Sequence, residues 1–161
     1  MSMNKLWAPW RIDYVQGKKS NGCIFCAASS HVVFKTRHSL CILNIYPYNN
    51  GHLMIAPLRH VKDLSSLNDS ELLDLMRSVE KARALLTKTL KPDGFNIGVN
   101  MSRVAGAGIP GHLHVHIVPR WSGDTNFMPV VGNTKVISQS LASLHKLLRN
   151  AYAKTDTGTR K

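Results

Sequence analysis

The stretch His112-Leu113-His114-Val115-His116-Ile117-Val118 decides the fold of this chain. Its histidines alternate strictly with leucine or β-branched residues, and successive side chains of a β-strand point to opposite faces. The three imidazoles are therefore expected on one face of a sheet and the apolar side chains on the other. The apolar face is predicted to pack on a helix. The histidine face is predicted to be open, because imidazoles make a poor core.

Hydrophobic periodicity predicts four further strands and two helices around this strand. The strands are expected over residues 32–35, 40–45, 52–56 and 95–100, and Pro119 is expected to end the fifth strand, 112–118. The first helix should start after an Asn68 cap with Glu71 as its capping-box partner, and should end near Leu90. Its apolar stripe is predicted to be Leu72, Leu75, Met76, Val79, Ala82 and Leu86.

Strands, a long helix and two more strands predict an α+β domain built on a mainly antiparallel five-stranded sheet. A second, C-terminal helix is expected over 138–152. Residues 1–152 are predicted to form a single domain, in which 1–30 are irregular. The polar tail 153–161 is predicted to be disordered.

The chain of 161 residues carries a formal net charge of +12, which favours an anionic partner. Its 21 Lys and Arg residues are spread along the sequence, whereas a nucleic-acid tract would be denser. A nucleic-acid partner is therefore not expected, and the choice between a solvated basic surface and one that steers substrate stays open. A membrane span and a signal peptide are not expected either, so we predict a cytoplasmic location.

The three cysteines are odd in number, which argues against a disulfide framework. Cys41 lies in an apolar run and is predicted to be a buried core thiol. Cys23 and Cys26 have the spacing of a zinc knuckle, and we expect His60 and His112 to complete a closed, tetrahedral, structural zinc site. The alternative is a pair of unmetallated thiols beside unrelated histidines.

The histidine row itself admits three interpretations: an exposed polar strand face, a metal site on the strand, and nucleophilic catalysis. Imidazole is nucleophilic near neutral pH and can form a covalent intermediate with a phosphorus centre. The middle residue, His114, is the predicted nucleophile of a nucleotide-processing enzyme. Just before it, Gly106, Gly108 and Gly111 allow the backbone to approach an anion closely.

Residues 112–118, followed by Pro119-Arg120-Trp121, resemble the histidine triad (HIT) superfamily, and the similarity covers roughly residues 6–150. Segments 6–11, 44–52 and 123–127 are similar to the branch that contains the diadenosine tetraphosphate phosphorylases. The resemblance implies a homodimer with one continuous sheet. It also implies transfer or hydrolysis of dinucleoside polyphosphates, and any magnesium would accompany the substrate.

The resemblance implies roles for individual residues. His114 matches the nucleophile that attacks the α-phosphorus, His116 a histidine that contacts phosphate, and His52 a histidine beside the triad. Asn44 matches a ribose-binding position, and Asn100 a polar residue on the phosphate side. The cysteine–histidine set named above is similar to the zinc site of several family members.

Two further apolar positions, Ile24 and Phe25, match residues that flank the base. The sequence departs from the family in the loop before the triad, where many members carry a polar residue and this chain has 108–111, Gly-Ile-Pro-Gly. Either the side chain that contacts the leaving group is missing here, or Ser102 or Arg103 supplies it. The acceptor, phosphate or water, is left open.

Two alternatives to a dinucleoside polyphosphate enzyme remain at this point. One is a hydrolase of nucleoside phosphoramidates or adenylated amines from the same superfamily. The other is a non-catalytic module that binds nucleotide or nucleic acid, which predicts salt-sensitive binding and no turnover.

Overall fold

Within residues 22–132, 134 and 136–156, the part of the chain that the computed structural model describes, five strands form one antiparallel sheet in the order β1-β2-β3-β5-β4. This confirms the predicted α+β fold. The boundaries of the first four strands in chain order fall within two residues of those predicted. The elements are β1 (Val32–Lys35), β2 (Ser39–Leu43), β3 (Leu53–Pro57), a 3-10 turn (Leu64–Ser66), α1 (Asp69–Leu90), β4 (Gly94–Val99), β5 (Val115–Arg120), α2 (Met128–Gly132) and α3 (Leu141–Asp156).

Strand β5 is shifted along the histidine run relative to the prediction. It begins at Val115, so His112 and His114 precede the regular strand. It also continues through Pro119, which was wrongly predicted to end it. The ladder with β3 stops at Ile117, so Pro119 lies where one side of the strand has no partner that needs its missing N–H.

One face of the sheet packs on α1, as predicted for the apolar side of the histidine run. Leu113, Val115 and Ile117 belong to one buried cluster with residues of that helix. The predicted cap is confirmed: the Asn68 side chain accepts from the Glu71 backbone N–H, and the Glu71 carboxylate accepts from the Asn68 backbone N–H, both at 3.0 Å.

The apolar stripe of α1 is rotated about the helix axis relative to the prediction. Leu75, Val79, Ala82 and Leu86 are buried, but Leu72 and Met76 are exposed, and Leu85, which the prediction left out, is buried. At about 100° per residue the buried side chains centre on Ala82, which places Leu85 inside the stripe and leaves Leu72 and Met76 at or beyond its border.

The other face of the sheet carries a second buried cluster of Phe25, Leu40, Ile42, Met54 and Ala56. Strands β2 and β3 are therefore buried on both faces. Cys41, on the α1 side of β2, is fully buried as predicted, and burial raises the pKa of its thiol.

The turn between β2 and β3 depends on Gly51. Its φ is +79°, in the left-handed region that side chains disfavour. A Cβ at this position would lie 2.6 Å from Leu90 Cδ1 and 3.1 Å from Pro119 Cγ. Glycine thus lets the turn pack against the end of α1 and against β5.

The C-terminal helix α3 begins three residues later than predicted and ends at Asp156. Residues 153–156 were predicted to be disordered and are helical, because no glycine or proline interrupts the helix there. Residues 157–161 lie outside the described residues, as do residues 1–21 of the segment expected to be irregular. The described part of that segment, 22–30, contains turns and no helix or strand.

No described helix combines the length and apolarity that crossing a bilayer requires. The cytoplasmic location stays a prediction.

Candidate active site and metal centre

The three imidazoles of the histidine run are buried, and the prediction of an open face is wrong. His112, His114 and His116 expose only 1%, 4% and 9% of their surface. Met54 pairs with His116 across the ladder, and opposite residues share a face, so His116 lies on the side of the second cluster. Phe25 covers this side, and hydrogen bonds satisfy most of the imidazole nitrogens, which makes burial tolerable.

His114 is held in one tautomer by the backbone. Its Nδ1 lies 2.8 Å from the carbonyl oxygen of His112, which can only accept a hydrogen bond, so Nδ1 carries the proton. The other ring nitrogen, Nε2, therefore presents a lone pair, and it has no hydrogen-bond partner among the described residues. This is the protonation state that a nucleophilic imidazole requires.

Hydrogen bonds also fix the tautomers of a second pair of histidines, His52 and His116. The backbone N–H of Tyr48 donates to His52 Nδ1 at 3.1 Å, and the Asn44 side-chain amide lies 3.2 Å from the same nitrogen. His52 must then carry its proton on Nε2, which donates to His116 Nδ1 at 2.9 Å. His116 in turn carries its proton on Nε2.

The Nε2–H of His116 is buried and has no partner within the described part of the chain. A buried donor without an acceptor is rare and needs an explanation, of which a ligand is one. The His116 and His114 rings are 4.8 Å apart, centroid to centroid. A lone pair and an unpartnered N–H thus lie side by side at the centre of the site.

Burial keeps the second pair neutral. It lowers the pKa of His52 to about 3, with further lowering by His116 and then His114. It also lowers the pKa of His116 to about 4, with His114 contributing. Both rings are therefore uncharged near pH 7, and the order of donors and acceptors between them persists.

Aromatic rings enclose the histidines on two sides. Phe25, which was expected to flank a base, is buried and packs 4.9 Å from the His114 ring. Its neighbour Ile24 is exposed. Tyr48 was missed: its ring, more than half exposed, lies 4.6 Å from His52 and 5.6 Å from His116. The available signal was an aromatic residue in the turn directly before a histidine of interest.

The predicted ribose-binding residue, Asn44, is buried beside His52. Its side-chain oxygen accepts from the Tyr46 backbone N–H at 2.9 Å, and its amide nitrogen faces His52 Nδ1. The structure therefore joins Asn44 to the histidine pair, a contact that the sequence did not reveal.

The loop between β4 and β5 folds back on its own start. The backbone of Gly106 has a φ of +89°, and a Cβ there would lie 3.9 Å from Asn100 Nδ2. Gly108 faces open space, since nothing lies within 4 Å of its Cβ position. Ser102 and Arg103, the candidates for a contact to the leaving group, are exposed, and their backbone carbonyls accept from Ala107 and Gly106 within the loop.

The turn that carries Tyr48 and His52 is anchored to the end of β5. Asn49 donates to the Pro119 carbonyl at 3.0 Å and to Asp124 Oδ2 at 2.8 Å. Arg120 forms an ion pair with the same carboxylate at 2.6 Å. The hydrogen bonds of Asn49 and the close packing at Gly51 thus hold the turn, with Tyr48 and His52, against β5.

Cys23, Cys26, His60 and His112 come together as predicted, with all four ligand atoms within 4.8 Å of one another. Cys23 Sγ lies 3.1 Å from His112 Nδ1, and Cys26 Sγ lies 3.3 Å from His60 Nδ1. In the described part of the chain this is the one group of three or more such residues that can hold a metal ion.

The chemistry of the donors fits a tetrahedral zinc ion, which takes thiolate and imidazole ligands at about 2.3 and 2.0–2.1 Å. His112 Nε2 donates to the Pro57 carbonyl at 2.9 Å, so its Nδ1 lone pair faces the sulfur atoms. Burial lowers the pKa of His112, which favours the neutral form that binds a metal. These four residues can therefore bind a metal ion.

The lowered pKa values predict the pH dependence of stability. A histidine whose folded-state pKa is lowered binds its proton in the unfolded chain first, so stability is complete above about pH 6.5 and falls as the pH drops toward 4. Each such histidine adds a slope of up to about 1.4 kcal/mol per pH unit. Urea unfolding at a series of pH values should give a shallower slope for His52→Gln than for the wild-type chain.

His145→Gln is the control for the loss of a histidine outside the site, because His145 lies on α3. Metal release on acidification affects all three proteins alike. Equal slopes for His52→Gln and the wild-type chain would show that His52 is not kept neutral by the fold.

Comparison with known proteins places this geometry in a family. A model of the HIT domain matches residues 27–123. The AP-4-A phosphorylase of Mycobacterium tuberculosis is 36% identical over an alignment of 167 positions, which covers 94% of this chain and 86% of that protein. The asymmetrical bis(5'-nucleosyl)-tetraphosphatase of Schizosaccharomyces pombe is 34% identical over 125 residues, or 77% of this chain and 68% of the relative.

Solved structures of histidine triad proteins have a similar fold. A Zn-bound histidine triad family protein from Mycobacterium smegmatis superposes with a TM-score of 0.67 at 25% identity, covering 84% of this chain and 96% of that one. A hypothetical histidine triad nucleotide-binding protein from Sulfolobus tokodaii gives the same TM-score at 26% identity, covering 82% and 93%. Since the family model spans more than half of the sequence, and the histidine row, the sheet order and the relatives all agree with it, the chain belongs to the HIT family.

Proposed function

We propose that this HIT-family enzyme cleaves dinucleoside polyphosphates, with diadenosine tetraphosphate as the first candidate, through a covalent nucleotidyl intermediate on His114. The carrying observation is the unpaired lone pair of His114 Nε2 beside the unpartnered buried N–H of His116. The relatives named AP-4-A phosphorylase and bis(5'-nucleosyl)-tetraphosphatase support this substrate class.

In the first step, His114 Nε2 attacks the α-phosphorus. A P–N bond forms, and the bond from the α-phosphorus to the bridging oxygen breaks, so the nucleoside triphosphate leaves with the electron pair. The His116 Nε2–H donates to a phosphate oxygen and stabilises the charge that develops there. The carbonyl of His112 holds the Nδ1–H of His114 while the ring becomes cationic.

In the second step an acceptor oxygen attacks the same phosphorus and the P–N bond breaks. Inorganic phosphate gives ADP, and water gives AMP with its proton released to solvent. In both cases the electron pair of the P–N bond returns to His114 Nε2, and the ring is neutral again because only Nδ1 carries a proton.

The remaining predicted residues would bind the substrate around this centre. Asn44 is assigned to the ribose, Asn100, Gly106 and Gly108 are assigned to phosphate, and Ile24 exposes an apolar surface for the base. The net charge of +12 favours approach of a polyanion.

The test is incubation of the pure protein with diadenosine tetraphosphate, with and without inorganic phosphate, followed by ion-exchange separation. We expect turnover in the wild-type chain and a loss of at least about a thousandfold in His114→Ala, because the covalent route is removed. An acid-sensitive, base-stable adenylyl adduct should form on the wild-type chain alone. His145→Ala is the matched control and should keep full activity.

The products identify the acceptor. ADP plus ATP only when phosphate is present indicates a phosphorylase, and AMP plus ATP regardless of phosphate indicates a hydrolase. Normal turnover in His114→Ala would refute the mechanism. A lack of any product from the wild-type chain would refute the substrate and favour the phosphoramidate hydrolase or the binding module, which adenosine phosphoramidate and oligonucleotide binding would then separate.

We further propose that Cys23, Cys26, His60 and His112 hold a structural zinc ion. Four protein ligands leave no open coordination position, so the ion would tie the segment around Cys23 to the triad and take no part in the reaction. Their geometry and the Zn-bound family member from Mycobacterium smegmatis support this. Magnesium remains an expectation attached to the polyphosphate substrate.

Protein purified without chelator should contain one zinc ion per chain by elemental analysis. Cys26→Ser should lose most of the metal, because a hydroxyl is a poor ligand in place of a thiolate. Cys41→Ala, a buried cysteine outside the cluster, should keep it. Metal-free wild-type protein, or metal retained in Cys26→Ser, would contradict the site.

The homodimer with a continuous sheet is also a proposal. Strand β4 pairs only with β5 among the described residues, and Ile97 exposes its side chain on it. Leu73 and Met76 are exposed on α1 and add apolar surface.

Sedimentation should give twice the chain mass of 17.9 kDa, and Ile97→Lys should shift the protein toward the monomer. A wild-type monomer at micromolar concentration would contradict the proposed dimer.

A further inference from the structure

The loop between β3 and α1 carries His60, and the residue before it forms a two-pronged ion pair. Arg59 Nε donates to Glu71 Oε1 at 2.8 Å, and Arg59 Nη2 donates to Glu71 Oε2 at 2.7 Å. Glu71 belongs to the first turn of α1, and only 10% of its side chain is exposed. The arginine therefore fastens the start of the loop to a rigid helix.

The residue after His60 is fixed as well. The carbonyl of Val61 accepts from the backbone N–H of Leu113 at 2.6 Å, and the Val61 side chain is buried. Leu113 directly follows His112. Both neighbours of His60 are thus held, one by α1 and one by the histidine run, and this sets the 4.8 Å between the rings of His60 and His112.

The helix cap does not by itself account for the arginine. Glu71 satisfies the Asn68 N–H as a capping-box residue, and glutamine serves there equally well. A carboxylate adds a charged, planar acceptor that matches a guanidinium with two parallel hydrogen bonds. Nothing in the capping of α1 needs that second function.

A second Arg–Glu pair provides the contrast. Arg83 and Glu80 form an ion pair at 2.6 Å with side chains 41% and 63% exposed, but both residues lie on α1, three positions apart. Exposed pairs of this kind contribute little. The Arg59–Glu71 pair differs because it joins two elements next to a residue of the metal cluster.

We infer that Arg59 and Glu71 are positioning residues for the metal centre, because they hold the His60 imidazole where it closes the ligand set with Cys23, Cys26 and His112. The inference rests on the zinc site proposed above. Neither residue touches the metal ligands' donor atoms, so the effect acts through the backbone of the loop.

The test is zinc affinity by competition with a chromophoric chelator. Glu71→Gln keeps one acceptor for the helix cap and nearly the same side-chain shape, but it removes the charge and replaces one of the two oxygens that accept from Arg59 with a donor. We expect zinc affinity to fall about tenfold in this variant and in Arg59→Met, as for other residues that orient metal ligands without binding the ion. The double variant should bind zinc no more weakly than Arg59→Met, which removes the whole ion pair together with the Arg59 contact to the Ser66 carbonyl. Glu80→Gln is the matched control and should bind zinc as the wild-type chain does.

A purely structural role makes a different prediction. The thermal midpoint would fall equally in the zinc-loaded and metal-free forms of Glu71→Gln, with zinc affinity unchanged, and this result would overturn the inference. A wild-type chain that binds no zinc would refute the metal site itself, and with it the inference, before any variant is compared. Weaker zinc binding in Glu71→Gln and Arg59→Met, with Glu80→Gln unchanged, supports the inference.

Discussion

The hydrogen bond from the Tyr48 backbone N–H to His52 Nδ1 fixes the protonation of the residues beyond it. A neutral imidazole has one donor and one acceptor, so fixing one nitrogen fixes the other. The Tyr48 N–H therefore forces the proton of His52 onto Nε2, and the donor at His52 Nε2 forces the proton of His116 onto its own Nε2. That last N–H has no partner in the described part of the site. A backbone amide is a suitable origin for this order, since it can only donate and does not titrate.

The same logic fixes the tautomer of His114, the proposed nucleophile, from the opposite direction. A carbonyl oxygen can only accept, and the His112 carbonyl therefore places a proton on His114 Nδ1. Two backbone groups of opposite polarity thus prepare a lone pair on one ring and a donor on its neighbour. Burial reinforces the order of donors and acceptors in the His52–His116 pair, because it lowers the pKa of both rings and so disfavours their charged forms.

The fold and the cysteine half of the metal cluster were predictable because each depends on a local pattern. Alternation along 112–118 identifies a strand face, the Asn68–Glu71 capping box marks a helix start, and the spacing of Cys23 and Cys26 indicates a metal site. The burial of the histidine row was not predictable in this way. It depends on Phe25, which lies far away in sequence and packs on the imidazoles, and on carbonyl and amide partners that have no sequence signature.

The errors within elements have a common physical origin. Pro119 was expected to stop β5, yet the effect of a missing N–H depends on whether a neighbouring strand needs it, which is a property of the sheet. Leu72 and Met76 fit the helical period but lie outside the surface that the sheet covers.

His112 has three contacts with three different demands. Its Nδ1 faces the cysteine sulfurs, its Nε2–H binds the Pro57 carbonyl, and its own carbonyl orients His114. Among the natural side chains, only imidazole offers a metal-binding lone pair on one edge and an N–H on the other at neutral pH. Any exchange at position 112 would therefore disturb the cysteine cluster, the end of β3 and the backbone that orients His114 together.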